Sequence, residues 1–275
     1  MIKPEYFLLN LVLPLLLLFS SQSIAAAECD KANFIAILEW YPSFLVDKDY
    51  NPLNAGFIFT ITKHLFQEAG IKMEIPDKRY LRHPFLRQTY EVKKGKIHMQ
   101  VGVIYTGMEK EEGFYVTKPF MKIKNTFISH NTSAITNLDQ IQGQLVGLPF
   151  GQDKIEKMLI SNGARLLKIK VAEQAYNLFR IGRINLYWGE HTYLRAFSIL
   201  YPSDNYAISD KSFDDTPVGI LVSKKWPCGQ EITDKLNKVI SELDIDTFAQ
   251  KHLDQSVVDM KKFLDQGVLK LPGYK

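Results

Sequence analysis

The chain has 275 residues, 46% of them hydrophobic, and a formal net charge of +4. Its charges are spread along the sequence rather than gathered in a basic stripe, which argues against a nucleic-acid partner. The six histidines are scattered singly and do not combine with the two cysteines at a metal-site spacing, so neither a metal nor a cofactor is expected.

The first predicted element is an apolar run from Phe7 to Phe19. A run of about 13 residues is too short to cross a bilayer core of roughly 30 Å, and the alanines at 25–27 are typical of a signal peptidase site. We therefore predict a cleaved signal peptide at 1–27, with Glu28 as the mature N-terminus. An uncleaved anchor is the alternative. A lipid anchor is disfavoured because Glu28, which precedes Cys29, is not a small residue.

Cys29 and Cys228 are the two cysteines of the chain, and both lie in the predicted mature part. An exported protein meets an oxidising environment, in which a disulfide persists. We expect one disulfide between them, with two free thiols as the alternative.

Short β-rich runs alternate with helical ones, which predicts an α/β architecture with mainly parallel sheets. In the first half, strands are predicted at 34–38, 71–75 and 97–104, and helices at 56–70 and 82–93. In the second half, strands are predicted at 145–148, 166–171, 184–188 and 217–223. Helices are predicted at 153–160, 173–181, 190–200 and from 231 onward. A polar loop is predicted at 210–215. No low-complexity linker separates the halves, so two connected lobes are favoured over independent domains.

Six short motifs carry a resemblance to a known family. They are Tyr41-Pro42-Ser43-Phe44, Gly56-Phe57, Gly95-Lys96-Ile97-His98, Tyr115 to Phe120, Leu138 to Gly151, and Gly182-Arg183-Ile184-Asn185. Together they resemble the periplasmic solute-binding proteins of the polar-amino-acid type (bacterial extracellular solute-binding protein family 3), the receptors of ABC importers. The resemblance covers nearly all of the mature chain.

The resemblance implies a two-lobed type 2 periplasmic-binding-protein fold. Each lobe is a mainly parallel sheet flanked by helices, and two hinge strands, near 120–127 and 216–221, join the lobes. The implied lobe 1 comprises 28–122 and 219–275, and the implied lobe 2 comprises 123–218. The C-terminal helices are expected to return to lobe 1.

For lobe 1, the resemblance implies three ligand contacts just beyond the strand predicted at 97–104. The family's arginine that holds a ligand carboxylate falls, without gaps, on Lys110, which carries the charge but not the planar fork. A surface lysine in a charged loop is the alternative. Tyr105 and Thr106 stand where small hydroxyl residues line the family's cleft.

Aromatic residues at the cleft rim are implied to stack on the ligand. Trp40 and Tyr41 end the first predicted strand, and Phe85 occupies the family's position for a second aromatic wall. Packing in the core is the alternative for each of them.

For lobe 2, Phe150, Gly151 and Gln152 precede a predicted helix whose free N–H groups can receive an anion. An ordinary strand-to-helix turn is the alternative. The family's acid that binds the ligand ammonium falls on Glu190, which could instead stabilise the start of the following helix through the helix dipole.

The resemblance implies a monomeric periplasmic binding protein that delivers a small polar solute, amino-acid-like, to a membrane-embedded ABC permease. One alternative is an enzyme on the same fold, similar to cyclohexadienyl dehydratases, with Glu173, Glu190 and His191 as acid-base groups. Another is an adaptor that hands its closed form to a membrane sensory receptor. The sequence shows no nucleophile elbow, so a binding protein rather than an enzyme is expected.

Overall fold

The computed structural model describes residues 29–36, 42–81, 83, 85–103, 113–130, 133–150, 152–170, 172–200 and 205–269. The strands among them are β1 (Lys31–Ala36), β2 (Lys72–Glu74), β3 (Met99–Val103), β4 (Phe114–Val116), β5 (Met121–Ser129), β6 (Leu145–Pro149), β7 (Arg165–Ile169), β8 (Leu186–Glu190), β9 (Ala207–Ile208) and β10 (Asp214–Ser223). The helices are α1 (Phe57–Glu68), α2 (Lys78–Leu81), α3 (Phe85–Lys93), α4 (Asp153–Ser161), α5 (Ala172–Arg180), α6 (His191–Leu200), α7 (Gly229–Glu242) and α8 (Ile245–Asp265). The predicted signal peptide at 1–27 lies outside these ranges.

The strands form one curled sheet with the order β2-β1-β3-β10-β5-β8-β6-β7, to which β4 and β9 add at β10 and β5. On one side, β1 runs parallel to β2 and β3, and on the other, β6 runs parallel to β7 and β8. Between these two parallel sets, β5 and β10 are antiparallel to each other and to their outer neighbours. This is the predicted α/β fold with two lobes joined by two hinge strands.

The sequence-based elements were wrong or incomplete in a few places. The two short strands β4 and β9 were not predicted, and the helix expected over 82–93 is replaced by α2 and α3. The polar loop expected over 210–215 ends early because β10 begins at Asp214 and pairs there with Asn125 of β5. The parallel sets are also continuous through the hinge strands rather than separate sheets. For β4, β9 and β10, pairing with distant strands, which local patterns do not encode, decides the structure.

Each lobe has its own apolar core. In the first lobe, the rings of Phe34 and Phe66 have centroids 5.9 Å apart and are fully buried with β3, β10 and α7 residues. In the second lobe, the sheet is covered on both faces. Trp188 packs with Phe127 at 5.0 Å on the face that α4 covers, whereas Tyr187 packs with Phe197 on the face that α6 covers. Alternation along β8 therefore divides its side chains between two helical layers.

The C-terminal helix α8 contacts both lobes. It packs on α1 of the first lobe and on α6 of the second. At the junction, here called the α6–α8 seam, Ala196 and Leu200 of α6 share a buried cluster with Met260 of α8. Arg195 Nη1 donates a hydrogen bond of 3.1 Å to Asp254 Oδ1 across the same junction. The C-terminal helices thus return to the first lobe as expected, but α8 also covers part of the second.

Cys29 and Cys228 form a disulfide, with their Cα atoms 5.4 Å apart. This is the pairing expected from the sequence. The bond joins the start of β1 to the residue before α7, so it connects two elements of the first-lobe core. No helix in the described ranges is both long and apolar enough to cross a membrane.

Gly56, predicted to begin the first helix, precedes α1 with φ of 99°. An added Cβ atom would lie 2.5 Å from the Ser43 carbonyl oxygen, which accepts hydrogen bonds from the first turn of α1. Because both the left-handed backbone and the backbone contact penalise a side chain, we expect Gly56→Ala to lower the free energy of unfolding by roughly 2–4 kcal/mol. Urea denaturation measures this change.

Gly70→Ala is the matched control for this substitution. Gly70 also has a positive φ, 69°, but no atom lies within 4 Å of the point that an added Cβ atom would occupy. The stability lost in Gly70→Ala should therefore be limited to the conformational cost of the positive φ, about 1 kcal/mol. Equal losses in the two variants would contradict the role given to the Ser43 contact.

His98 is a half-buried residue of the first lobe. Its ring stacks on Trp226 with centroids 4.3 Å apart, and its Nδ1 accepts a hydrogen bond from the Asn33 N–H at 3.3 Å. Burial lowers the pKa of His98 below its ordinary value of 6.5, and the opposing charge of Glu74 does not restore it. The unfolded chain therefore binds more protons as the pH falls through 6.5.

We expect the free energy of unfolding to decrease as the pH is lowered from about 8 to about 5. Burial also lowers the pKa values of His191 and His252, which act in the same direction. His98→Gln should make the dependence shallower without removing it. Denaturant titrations at a series of pH values measure how the free energy of unfolding changes with pH in the parent and in the variant. An identical pH dependence in both would show that His98 does not contribute.

Candidate functional site

Many of the predicted ligand-binding residues lie outside the described ranges. These are Trp40, Tyr41, Tyr105, Thr106, Lys110 and Gly151. Phe85 begins α3, but its side chain is not among those described. Phe150, Gln152 and Glu190 are described, and all three belong to the second lobe.

The strand arrangement brings these three residues to one edge of the second-lobe sheet. Phe150 follows the carboxyl end of β6, and Glu190 is the last residue of β8. Since β6 and β8 are parallel, both residues lie at the same edge of the sheet. In open α/β sheets, ligands bind in the crevice outside the carboxyl ends of the parallel strands.

Glu190 is buried, with 7% of its surface exposed. Its Oε1 accepts a hydrogen bond from the Thr192 N–H and its Oε2 from the Tyr193 N–H, both at 2.7 Å. The carboxylate therefore caps α6, where its negative charge also favours the helix dipole. Contact of this carboxylate with a ligand ammonium stays a prediction.

Gln152 immediately precedes α4, and its side chain points into the protein. Its Oε1 accepts a hydrogen bond of 3.1 Å from the indole Nε1–H of Trp188, which is fully buried. The side chain does not cap α4, so the backbone N–H groups of the turn are the groups that could face an anion. Asp153 and Glu156 in the first turn of α4 oppose such an anion by charge.

Phe150 is the exposed aromatic residue of this edge, with 53% of its surface accessible. The ammonium groups of Lys168 and Lys170 each lie 6.0 Å from the centre of its ring. Lys168 also pairs with Glu156 of α4. Sequence reasoning missed these lysines, although their position at the carboxyl end of β7 was a usable signal.

A polar network ties the two hinge strands to the second lobe. Asn125 of β5 donates from Nδ2 to Thr216 Oγ1 at 2.7 Å, and Thr216 Oγ1 donates to Asp214 Oδ2 at 3.0 Å. Asp214 is in turn paired with Lys154 of α4. Asn125 also stands opposite Glu190 in the β5–β8 register. The hinge and the predicted ammonium-binding residue are therefore direct neighbours.

The acid-base groups of the enzymatic alternative are only partly described. The side chain of Glu173 lies outside the described ones, and both Glu190 oxygens accept helix amides. Burial and the charges of Lys124 and Arg195 lower the pKa of His191, while Asp210, at 3.8 Å, acts in the opposite direction. Within the described residues, no three His, Cys, Asp or Glu side chains are placed to hold a metal ion.

Comparison with sequences returned no match to a protein-family model and none to a curated protein. Comparison with solved structures found similar folds. An amino acid ABC transporter substrate-binding protein, AbpA from Streptococcus pneumoniae, bound to L-arginine, has a TM-score of 0.66 at 17% identity, over 86% of this chain and 98% of that one. An ancestral arginine-binding protein bound to arginine has a TM-score of 0.65 at 18% identity, over 82% and 97%.

The GluR0 ligand-binding core in complex with L-glutamate is similar as well, with a TM-score of 0.64 at 11% identity, over 81% of this chain and 98% of that chain. At identities this low, the likeness concerns the fold. The chain therefore has the two-lobed fold found in amino-acid ABC transporter substrate-binding proteins.

Proposed function

We propose that this chain is an exported binding protein that captures a small polar, amino-acid-like solute in the cleft between its lobes and delivers it to an ABC importer. The observation that carries the proposal is the architecture itself. Two parallel strand sets are connected by two crossing strands, as in solved substrate-binding proteins that match this chain over almost their whole length. Those neighbours are binding proteins and not enzymes, which supports a non-enzymatic role.

Ligand capture follows from the hinge. A solute that contacts groups on both lobes gains all its interactions only when the lobes close, so its binding shifts the protein toward the closed state. In the proposed arrangement, Lys110 of the first lobe holds the carboxylate and Glu190 of the second holds the ammonium. Burial of Glu190 at the strand edge supports this assignment, because a desolvated carboxylate interacts strongly with a cation.

The same proposal includes location and partners. The signal peptide at 1–27 directs the chain to the periplasm, where it acts as a monomer with a membrane-embedded permease. Residues 28–122 and 219–275 form lobe 1, and residues 123–218 form lobe 2. The disulfide supports the location, because such bonds persist in oxidising compartments.

A thermal-shift screen of the mature protein against amino acids, amines, carboxylates and sugars tests the function. A ligand at 100 times its Kd stabilises the native state by about 2.7 kcal/mol. Compounds of the class that binds should therefore raise the melting temperature of the protein measurably. Selective stabilisation by amino acids would support the proposal. If no class shifts the melting temperature, the solute-binding role for these compounds is wrong.

A further inference from the structure

A cavity of about 220 Å³ lies where the hinge strand β5, the start of α6 and the C-terminal helix α8 meet. The polar groups that line it come from all three elements. Lys122 and Lys124 belong to β5, His191 and Arg195 to α6, and Gln250 to α8. The volume is several times the roughly 30 Å³ that one water molecule occupies in the liquid, so a small polyatomic ion and water fit together.

The two lysines of this cavity lie on the other side of the sheet from the Gln152–Trp188 contact. Phe127 of β5 packs with Trp188 on the α4 side, and side chains alternate along a strand. Lys122 and Lys124 are therefore directed to the opposite side, which α6 covers. The cavity adjoins the α6–α8 seam, and Glu190, which ends β8 at the candidate ligand edge, also lines it.

The lining is strongly basic. Among the described lining residues the one acid is Glu190, which uses both carboxylate oxygens as acceptors for backbone amides of α6. Arg195 is paired with Asp254 and His191 lies near Asp210, but within the described ranges no carboxylate oxygen is within 4.0 Å of the Lys122 or Lys124 ammonium. Asp215 of β10 stands opposite Lys124 in the strand register. The two hinge lysines therefore face the same space as the α6 cations, with a carboxylate on the neighbouring strand but none in direct contact among the described residues.

The charges also influence each other. Burial lowers the pKa of His191, and the charges of Lys124 and Arg195 lower it further despite the opposing effect of Asp210. Burial is the larger cause, and the nearby positive charges act in the same direction. An anion in this space would reduce that repulsion and accept charge-assisted hydrogen bonds from several elements at once.

We propose that the cavity binds a doubly charged tetrahedral oxyanion of the phosphate or sulfate class. Lys122 and Lys124 approach it from the hinge strand, Arg195 from α6, and the Gln250 amide from α8. Because the bound anion would contact both sides of the α6–α8 seam, it would hold α8 against the second lobe. The cavity shares Glu190 with the candidate ligand edge, but a titration with phosphate alone tests it without the proposed solute.

Calorimetric titration of the mature parent protein with sodium phosphate, compared with sodium chloride at equal ionic strength, tests the site. The variants are Lys124→Gln at the hinge and Arg195→Gln on α6. Lys238→Gln is the matched control, because Lys238 is an exposed lysine of α7 that does not line the cavity. Each variant loses one charged hydrogen-bond donor, which corresponds to roughly 10- to 100-fold weaker binding.

The expected result is saturable phosphate binding with one equivalent, absent with chloride, weakened about tenfold or more in both cavity variants and unchanged in the control. Equal heats for chloride, or equal weakening in Lys238→Gln, would overturn the proposal by showing a non-specific charge effect. Unchanged affinity in Lys124→Gln would also overturn it. Lys124→Gln keeps the Arg195–Asp254 pair, so it decides the question even if Arg195→Gln is too unstable to titrate.

Discussion

Loss of the Cys29–Cys228 bond should lower the free energy of unfolding by about 5 kcal/mol, as expected from loop-closure entropy. The bond connects residues separated by 199 positions, so it removes many conformations from the unfolded chain. It also joins the first strand to the start of α7, two elements that share the first-lobe core. A loss of this size is a large part of the stability of an ordinary domain.

Urea denaturation of the mature protein with and without reductant measures this loss. Cys29→Ser with Cys228→Ser should have the stability of the reduced parent and should not respond to reductant. If the free energies of unfolding of the oxidised and the reduced parent differ by less than about 1 kcal/mol, the expected contribution of the disulfide is contradicted. Quantitative alkylation of both thiols in protein taken directly from the periplasm would show that the bond does not form there.

Removing the charge of either Lys110 or Glu190 should weaken the binding of a zwitterionic ligand by at least about 30-fold. The reason is that a buried charge without its partner costs roughly 2–5 kcal/mol. This applies to Lys110→Ala and Glu190→Ala. Lys110→Arg should retain or improve affinity, because the planar guanidinium fits a carboxylate better than an ammonium does. Calorimetric titration with the amino acid found in the screen measures all three.

Glu190 needs an additional variant because its carboxylate caps α6. Glu190→Ala removes the cap as well as the charge, and loss of a cap costs about 1 kcal/mol of stability. Glu190→Gln keeps an oxygen acceptor for the helix and removes the charge, so it separates the two effects. If Glu190→Gln and Lys110→Ala both bind within threefold of the parent, the zwitterion assignment is wrong, and the cleft holds a ligand without an α-amino-acid head.

The features that sequence predicted well were local. Gly56 indicated the start of α1 because a glycine with positive φ suits that position, and the alternating strands and helices indicated two lobes. The strand before Glu190 was predicted to end at Trp188, two residues earlier than β8 ends, and the direction of the Glu190 carboxylate was not predicted. That direction depends on where the chain turns into α6 beside β5, which is set by tertiary pairing with Asn125.

Other features of the site depend on residues that are far apart in the chain. Gln152 is turned inward by Trp188, which lies 36 positions away, and no local pattern encodes that hydrogen bond. The short strand β4 exists because it pairs with β10, about a hundred residues later. Three residues are too few for a recognisable alternation. The resemblance supplied the positions of candidate contacts, while the orientation of each side chain required the packed structure.

The path of the chain through the sheet also affects the order in which the lobes can fold during synthesis. The strands β5 to β9 of the second lobe are contiguous in sequence, but the first-lobe strand β3 needs β10 as its neighbour. Chains fold as their segments emerge, from the N-terminus onward. Until residues 218–222 have emerged, β3 has an unpaired edge, and the lobe that is synthesised first is therefore the last to be completed.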